Sequence, residues 1–290
     1  MRTGKGTAFV LSGGGSRGAL EAGALLVLFE SGIRPQILVG SSVGAINAAA
    51  VARNPTLEGA RELANEWRQA KKRHVLSASY LNMAWHVITR QDSLLDNTNL
   101  KSFIKKEGLR EIVRFSDIKQ ASLYIGATRL DTGQFHVFGI NRSDSVLDAI
   151  MASTARVPFL PPWEYKGHQY IDAAFTSDLP IKIALQADAT DVFAIDVGIR
   201  RLKKAKIEGM FHILEQVLTA ESYGHFLGDI TYGKKLHSGS FHYISIPQFE
   251  HVQMWDFDSC SQMVDVGMQT MSKYLDKHHL HRAELETSAI

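Results

Sequence analysis

The chain has 290 residues, 45% of them hydrophobic and 21% charged, with 32 basic residues against 30 acidic ones and a formal net charge of +2. That length can bury a sizeable core as one large α/β domain or two small ones, and the composition excludes a disordered chain. Balanced charge lacks the basic stripe that nucleic-acid binding needs, so no nucleic-acid partner is expected.

Ala8 to Leu11 is a short apolar run that reads as a strand buried on both faces. Gly13, Gly14 and Gly15 break it. Ala19 to Ser31 then carries Leu20, Ala24, Leu25, Val27 and Leu28 at helical spacing, with Gly32 as C-cap. Ile37 to Val39 reads as a second buried strand, followed by a small-residue helix over 43–51. Strand, helix and strand joined by short links point to a parallel sheet with right-handed crossovers. An amphipathic helix is expected over 56–74, with Leu57, Leu63, Ala64 and Trp67 on one face, and another over 98–106. Strands over 122–128 and 134–138 form a hairpin through Leu130-Asp131-Thr132-Gly133. A helix over 145–153 precedes a rigid loop with Pro158, Pro161 and Pro162. The pattern continues with a strand at 168–171, a helix opening at 179, and strands at 192–197 and 241–246. A last helix runs from about Cys260 to His278. No repeat or linker divides the chain, so 1–290 reads as a single domain.

Two junctions carry chemistry. Gly13-Gly14-Gly15-Ser16-Arg17-Gly18 fits the G-x-G-x-x-G dinucleotide fingerprint, but no carboxylate ends the second strand to hold a ribose. A Walker loop is excluded because no Gly-Lys-Ser/Thr follows. Three glycines before a helix N-terminus instead let backbone N–H groups converge on one spot, which suits an oxyanion. Gly40-Ser41-Ser42-Val43-Gly44 fits G-x-S-x-G between a strand and a helix. There Ser42 has the register of a nucleophile in a strained elbow, and Gly40 and Gly44 remove side chains that would clash with it. In a parallel sheet both loops leave the C-terminal strand edges, so the anion site and the nucleophile face each other.

On these residues the chain resembles the patatin-like phospholipase family. Val10 to Ala19 is similar to the family's oxyanion loop, and Val39 to Ala48 to its serine elbow. Ala155 to Pro162, followed by Gly167 to Ala174, is similar to its proline loop and aspartate motif. The resemblance implies a three-layer α/β fold with a central, mostly parallel sheet flanked by helices. It further implies a Ser–Asp dyad of Ser42 and Asp172 and an acyl-enzyme intermediate. The oxyanion would be held around Gly13, Gly14, Gly15 and Ser16, with Arg17 and Gly18 in support. A lipid or ester is the implied substrate, with no cofactor and no metal. A carboxylate beside a hydroxyl can take its proton directly, particularly where burial raises the carboxylate pKa. Alanine stands at Ala173 where the family has glycine; if that position needs φ > 0, the turn beside Asp172 is strained. The resemblance covers about 7–200, and 200–290 is a less recognisable part of the same domain.

Other features weigh less. Met210, Phe211, Ile213, Leu214, Val217 and Leu218 form an apolar helical stripe that reads as core, or else as part of an acyl pocket or lid. The cations Arg200, Arg201, Lys203, Lys204 and Lys206 read as a solvated loop or a contact for anionic headgroups. His278, His279 and His281 lack the carboxylate or cysteine partners of a metal site. Cys260 is the only cysteine, so no internal disulfide forms, as suits a reducing compartment. The longest uncharged run, 37–52, is too short to span a bilayer, and the N-terminal apolar stretch stops at the glycines. A cytoplasmic location is therefore expected, with peripheral membrane contact open to it. Two rival readings remain. One is an α/β-hydrolase triad of Ser42, Asp196 and His225 or His242, although an elbow on the second strand is early for that fold. The other is a lipid-binding protein in which the altered Asp172 motif has lost catalysis.

Overall fold

The computed structural model describes residues 6–70, 98–106, 112–199, 206–236 and 239–280. Its strands are β1 (Gly6–Leu11), β2 (Ile37–Gly40), β3 (Ser122–Arg129), β4 (Phe135–Phe138), β5 (Trp163–Tyr165), β6 (His168–Ile171), β7 (Ala189–Asp196) and β8 (Ser240–Ser245). They form one sheet in the order β5-β6-β3-β2-β1-β7-β8, with β4 also pairing with β3. The run β3-β2-β1-β7-β8 is parallel throughout. β4 and β6 are antiparallel to β3, and β5 is antiparallel to β6.

The helices are α1 (Gly18–Glu30), α2 (Val43–Arg53), α3 (Leu57–Gln69), α4 (Thr98–Lys106), α5 (Val146–Ser153), α6 (Ile181–Gln186), α7 (Met210–Leu236) and α8 (Cys260–His278). Alternation along the strands assigns them to layers. Phe9, Leu11, Leu38, Phe193 and Ile195 pack with α1, α2, α3, α5 and α8. Ala8, Val10, Val39, Val192 and Ala194 face the other way, onto α6 and the second half of α7. The result is the three-layer arrangement expected: a mostly parallel sheet with helices on both faces.

Local chemistry sets the boundaries. Gly32, with φ 79°, ends α1 as its N–H reaches Phe29 O at 3.1 Å and the Ile33 N–H reaches Leu28 O at 2.9 Å. Thr56 caps α3 by accepting the Gly59 N–H at 3.1 Å, and Ser145 caps α5 by accepting the Asp148 N–H at 3.2 Å. Every residue of α1 except Glu30 is buried, because α3 and α8 cover the side turned away from the sheet. A side chain on Gly23 would strike the backbone of Val264, and one on Gly267 the backbone of Leu20. These two glycines let α1 and α8 cross in backbone contact.

Three expectations change. No strand is expected between the proline loop and 168–171, yet β5 lies there, its three residues too few for a periodic signal. β5 turns into β6 through Lys166 and Gly167, both at positive φ (50° and 77°), as a two-residue hairpin turn requires. The amphipathic helix expected over 56–74 ends at Gln69, with Ala70 already extended and 71–74 outside the described residues. The stripe at 210–218 is not core: Met210 is 75% exposed and Val217 54%. The Phe211 side chain, residues 200–205, His237 and His281 lie outside what is described.

Candidate active site

Leu11 pairs with Gly40 on one side and Ile195 on the other, so the loops after β1, β2 and β7 leave the sheet together. Ser42 stands at the second of these junctions, after β2, with φ 53° and ψ −122°, a region costing roughly 1–3 kcal/mol for a non-glycine residue. Close packing holds it there. A Cβ on Gly44 would lie 2.5 Å from Leu11 O, and one on Gly40 would strike the Gly44 carbonyl. The Ser42 N–H donates to Ser153 Oγ at 2.8 Å. Its hydroxyl donates to Asp172 Oδ2 at 2.9 Å.

Asp172 follows β6 and is 2% exposed. Its N–H donates to Ala155 O at 2.9 Å, its carbonyl accepts from Thr128 Oγ1 at 3.0 Å, and its Oδ1 accepts the Ala174 N–H at 2.8 Å. Backbone and side chain are thus fixed separately, which aims Oδ2 at the serine. Burial pushes the carboxyl above the usual aspartate range. The Arg156 guanidinium, the Ala174 N–H and the Ser42 hydroxyl oppose that shift, and Asp178 adds to it. If ionised Asp172 is the base, kcat/KM should fall on the acid side with an apparent pKa above that of an ordinary aspartate. A profile flat down to pH 4 would contradict this. The linkage has the opposite sense for stability. A carboxyl whose pKa is raised by folding favours the fold while protonated, below its unfolded value, and that contribution is lost as pH rises through the folded value.

Ala173 opens a short 3-10 turn, Ala173–Phe175, and is absent from the positive-φ residues. The strain expected beside Asp172 is therefore not there, because the chain turns helically where a left-handed residue was anticipated. Ala173→Gly should accordingly cost stability, about 0.5–1 kcal/mol in a urea titration, with little change in rate. A large gain in activity would show that the alanine does restrain Asp172.

The glycine loop is narrower as an anion site than its sequence suggests. The Gly13 N–H is shared between Asp178 Oδ1 at 3.1 Å and Asp178 O at 3.3 Å, and the Ser16 N–H donates to Met254 O at 2.7 Å. Those two donors are committed to residues far along the chain, which no local pattern reveals. The N–H groups of Gly14 and of Gly15, at φ 61°, donate to no group among the described residues, and both glycines are partly exposed. The Val43 N–H at the start of α2 is similarly uncommitted. A Cβ on Gly13 would lie 3.2 Å from Ser42 Cβ, so loop and elbow are in contact. Arg17 is buried and ties the loop down, its Nε donating to Val197 O at 2.8 Å and its Nη1 to Val252 O at 3.1 Å. Gly18 leaves room for Val43 and the Trp67 ring.

Beneath both loops lies a buried group that sequence reasoning missed. Asn47 Nδ2 donates to Gly18 O at 3.0 Å and Glu21 Oε2 at 2.8 Å, while its Oδ1 accepts from Trp67 Nε1 at 2.8 Å. Burial holds the Glu21 carboxyl well above the usual range, and α1 and α2 are joined through it one turn behind their catalytic-edge ends. Ser153, Arg156, Thr128 and Asp178 were missed as well. Each acts across the fold and has no spacing signature.

The rival triad is not assembled. Asp196 accepts from the Gly198 N–H at 3.0 Å and the Tyr243 hydroxyl at 2.8 Å. His242 stacks on Phe193 with centroids 4.5 Å apart, and His225 lies beside Glu221 on α7. His168 is exposed next to Asp131. Among the described residues no three His, Cys, Asp or Glu side chains are grouped to hold a metal ion. The Cys260 thiol is pushed up to about 12 by burial, which suits a core residue better than a nucleophile.

Fold and site together define a three-layer α/β protein whose sheet edge carries a strained serine bonded directly to a buried carboxylate. The patatin-like phospholipase family model matches residues 9–185, and the chain belongs to that family. Over 202 residues it is 25% identical to patatin-like phospholipase domain-containing protein 7 of Mus musculus, covering 69% of this chain and 14% of that protein. It is 26% identical over 198 residues to the human patatin-like phospholipase domain-containing protein 6, covering 68% and 14%. With Drosophila melanogaster neuropathy target esterase sws the figures are 25% over 199 residues, 68% and 13%. The chain thus spans about 14% of the length of the first two of these relatives. Among solved structures, VipD from Legionella pneumophila superposes with a TM-score of 0.47 at 13% identity, covering 95% of this chain and 67% of that one. The type III effector ExoU gives 0.46 at 15% identity, covering 94% and 53%.

Proposed function

We propose that the chain is a serine lipid acyl hydrolase of the phospholipase A or carboxylesterase type, working through Ser42 and Asp172. The observation that carries this reading is the 2.9 Å bond from the Ser42 hydroxyl to the buried Asp172 carboxylate. In this mechanism Ser42 Oγ attacks the ester carbonyl while Asp172 Oδ2 takes its proton. The carbonyl oxygen gains charge, which the Gly14, Gly15 and Val43 N–H groups are available to receive. Asp172 then returns the proton to the departing alcohol, leaving an acyl-Ser42. Water attacks that ester and gives a proton to Asp172, which passes it to Ser42 Oγ as the acyl–oxygen bond breaks and the carboxylic acid leaves. The coarse reading is supported by family membership, and the dyad by the geometry. Residues 1–290 are taken as one domain. An arrangement this complete around Asp172 gives the non-catalytic, lipid-binding reading no observation of its own.

Fluorophosphonate labelling tests the proposal. A single adduct on Ser42, lost in Ser42→Ala, is expected alongside hydrolysis of a short soluble ester. No adduct and no hydrolysis would overturn it. The loop makes a separate prediction. A Cβ on Gly14 would come within 2.9 Å of Val197 Cγ2, so Gly14→Ala must displace a donor. Losing one such donor lowers kcat by about 10²–10³-fold while sparing KM. An effect on KM alone would make the loop a binding element.

A further inference from the structure

Ala155 and Arg156 lie just beyond α5, and the Ala155 carbonyl accepts the Asp172 N–H at 2.9 Å. The Phe159 and Leu160 N–H groups both donate to Arg156 O at 2.9 Å, so a tight turn fixes the Arg156 backbone beside the base. Its side chain reaches the turn that follows Asp172. There Cζ lies over the Phe175 ring, 5.0 Å from its centroid. The ring face attracts the guanidinium but occupies none of its N–H donors. The cation is near enough to Asp172 to help keep that carboxyl ionised, yet it forms no ion pair with it.

Those donors are unused. Arg156 has no hydrogen bond or ion pair with any of the described residues. Other partly buried arginines are spent: Arg34 and Arg142 donate to backbone carbonyls, and Arg68 and Arg129 to carboxylates. Among the described residues the only enclosed side-chain nitrogen or oxygen without a partner is Glu21 Oε1, so solvent reaches the Arg156 nitrogens. A planar cation with free donors suits an oxyanion, because its fork matches the oxygens of a phosphate and the bonds are charge-assisted. In a glycerophospholipid the glycerol unit alone separates the phosphate from the acyl esters. An ester carbonyl at Ser42 therefore leaves the phosphate among the groups that border the dyad. Ionised Asp172 would repel that phosphate, and a cation beside it offsets the repulsion. A neutral glyceride gains nothing from the guanidinium.

We propose that Arg156 is a specificity-determining residue that holds the phosphate of a glycerophospholipid while its acyl ester lies at Ser42. The assignment rests on the hydrolase reading for the ester and adds to it the part of the substrate that is recognised.

The test compares kcat/KM for dihexanoylphosphatidylglycerol with that for dihexanoylglycerol, which carries the same acyl esters and no phosphate. The unaltered chain should prefer the phospholipid, and Arg156→Gln should cut the ratio of the two by about tenfold or more. Arg156→Lys keeps the charge and loses the fork, so its ratio should fall between. The ratio is the readout because loss of Arg156 also alters Asp172, which acts on both lipids alike. A fall shared equally by both lipids would make Arg156 a tuner of Asp172 and overturns the proposal. So does an unmoved ratio with Arg156-dependent binding of inorganic phosphate, which would assign the arginine to free phosphate. Calorimetry on the full chain carrying Ser42→Ala, with Arg156 in place, needs no turnover. The phospholipid should bind about tenfold or more tightly than the glyceride, and equal binding overturns the proposal. Arg156-dependent phospholipid binding without hydrolysis of either lipid keeps this site and removes the hydrolase reading. Hydrolysis of both lipids at a ratio that Arg156 does not move does the reverse.

Discussion

Ser42→Ala should abolish ester hydrolysis, by about 10³-fold or more, in a protein that stays folded. The substitution removes one partly exposed hydroxyl and leaves the backbone bond from Ser42 N to Ser153 Oγ intact. Alanine carries the same positive-φ penalty as serine, so the elbow is no more strained than before. What is lost is the only atom in the elbow able to attack a carbonyl with a base already bonded to it. Because the Ser42 hydroxyl helps to keep the Asp172 carboxyl ionised, the variant should also titrate Asp172 at a higher pH. Ser41→Ala is the control, since its buried hydroxyl faces Ser177 O at 3.4 Å. Turnover persisting in folded Ser42→Ala, or lost only in Ser41→Ala, would remove Ser42 from the mechanism.

Asp172→Asn should be nearly as damaging, by roughly 10²–10⁴-fold, while no histidine variant is. The amide preserves shape and can still accept the Ala174 N–H. Its other end then presents an NH₂ to the Ser42 hydroxyl, where no proton can be taken up. In a serine–histidine–aspartate triad the imidazole takes the proton and the carboxylate only orients it, so loss of the histidine is severe. Here His225 lies beside Glu221 on α7, His242 of β8 stacks on Phe193 of β7, and His168 and His212 are exposed. Alanine at each of these, and at His237, should leave steady-state rates near wild type. One dead histidine variant together with an active Asp172→Asn would replace the dyad with a triad.

How much could be read in advance followed from range along the chain. The glycine loop, the Ser42 elbow and the strand–helix order were legible because each is a local pattern with a steric cause. Asp172 was not: its partner lies 130 residues away, and only the likeness of its segment to a known family pointed to it. Which loop donors remain available depended on Asp178 and Met254, both supplied by distant chain. The polarity of the stripe at 210–217 was plain, but whether a sheet or water lay against it was decided by where α7 docks. β5 failed for a simpler reason, being shorter than one period of any pattern.

The glycine-to-glycine crossing of α1 and α8 has a consequence for how the chain reaches this structure. Ser16, just before α1, is in contact with Cys260, 244 residues later, through a thiol–carbonyl contact of 3.8 Å. During synthesis α1 emerges long before α8, and α3 alone leaves its outer face only partly covered until α8 arrives. Contacts of such long range form slowly, and an apolar helix left open meanwhile is a target for chaperones and for aggregation. Shortening the chain before Cys260 would make that transient exposure permanent. The insoluble product would come from α1, far upstream of the cut.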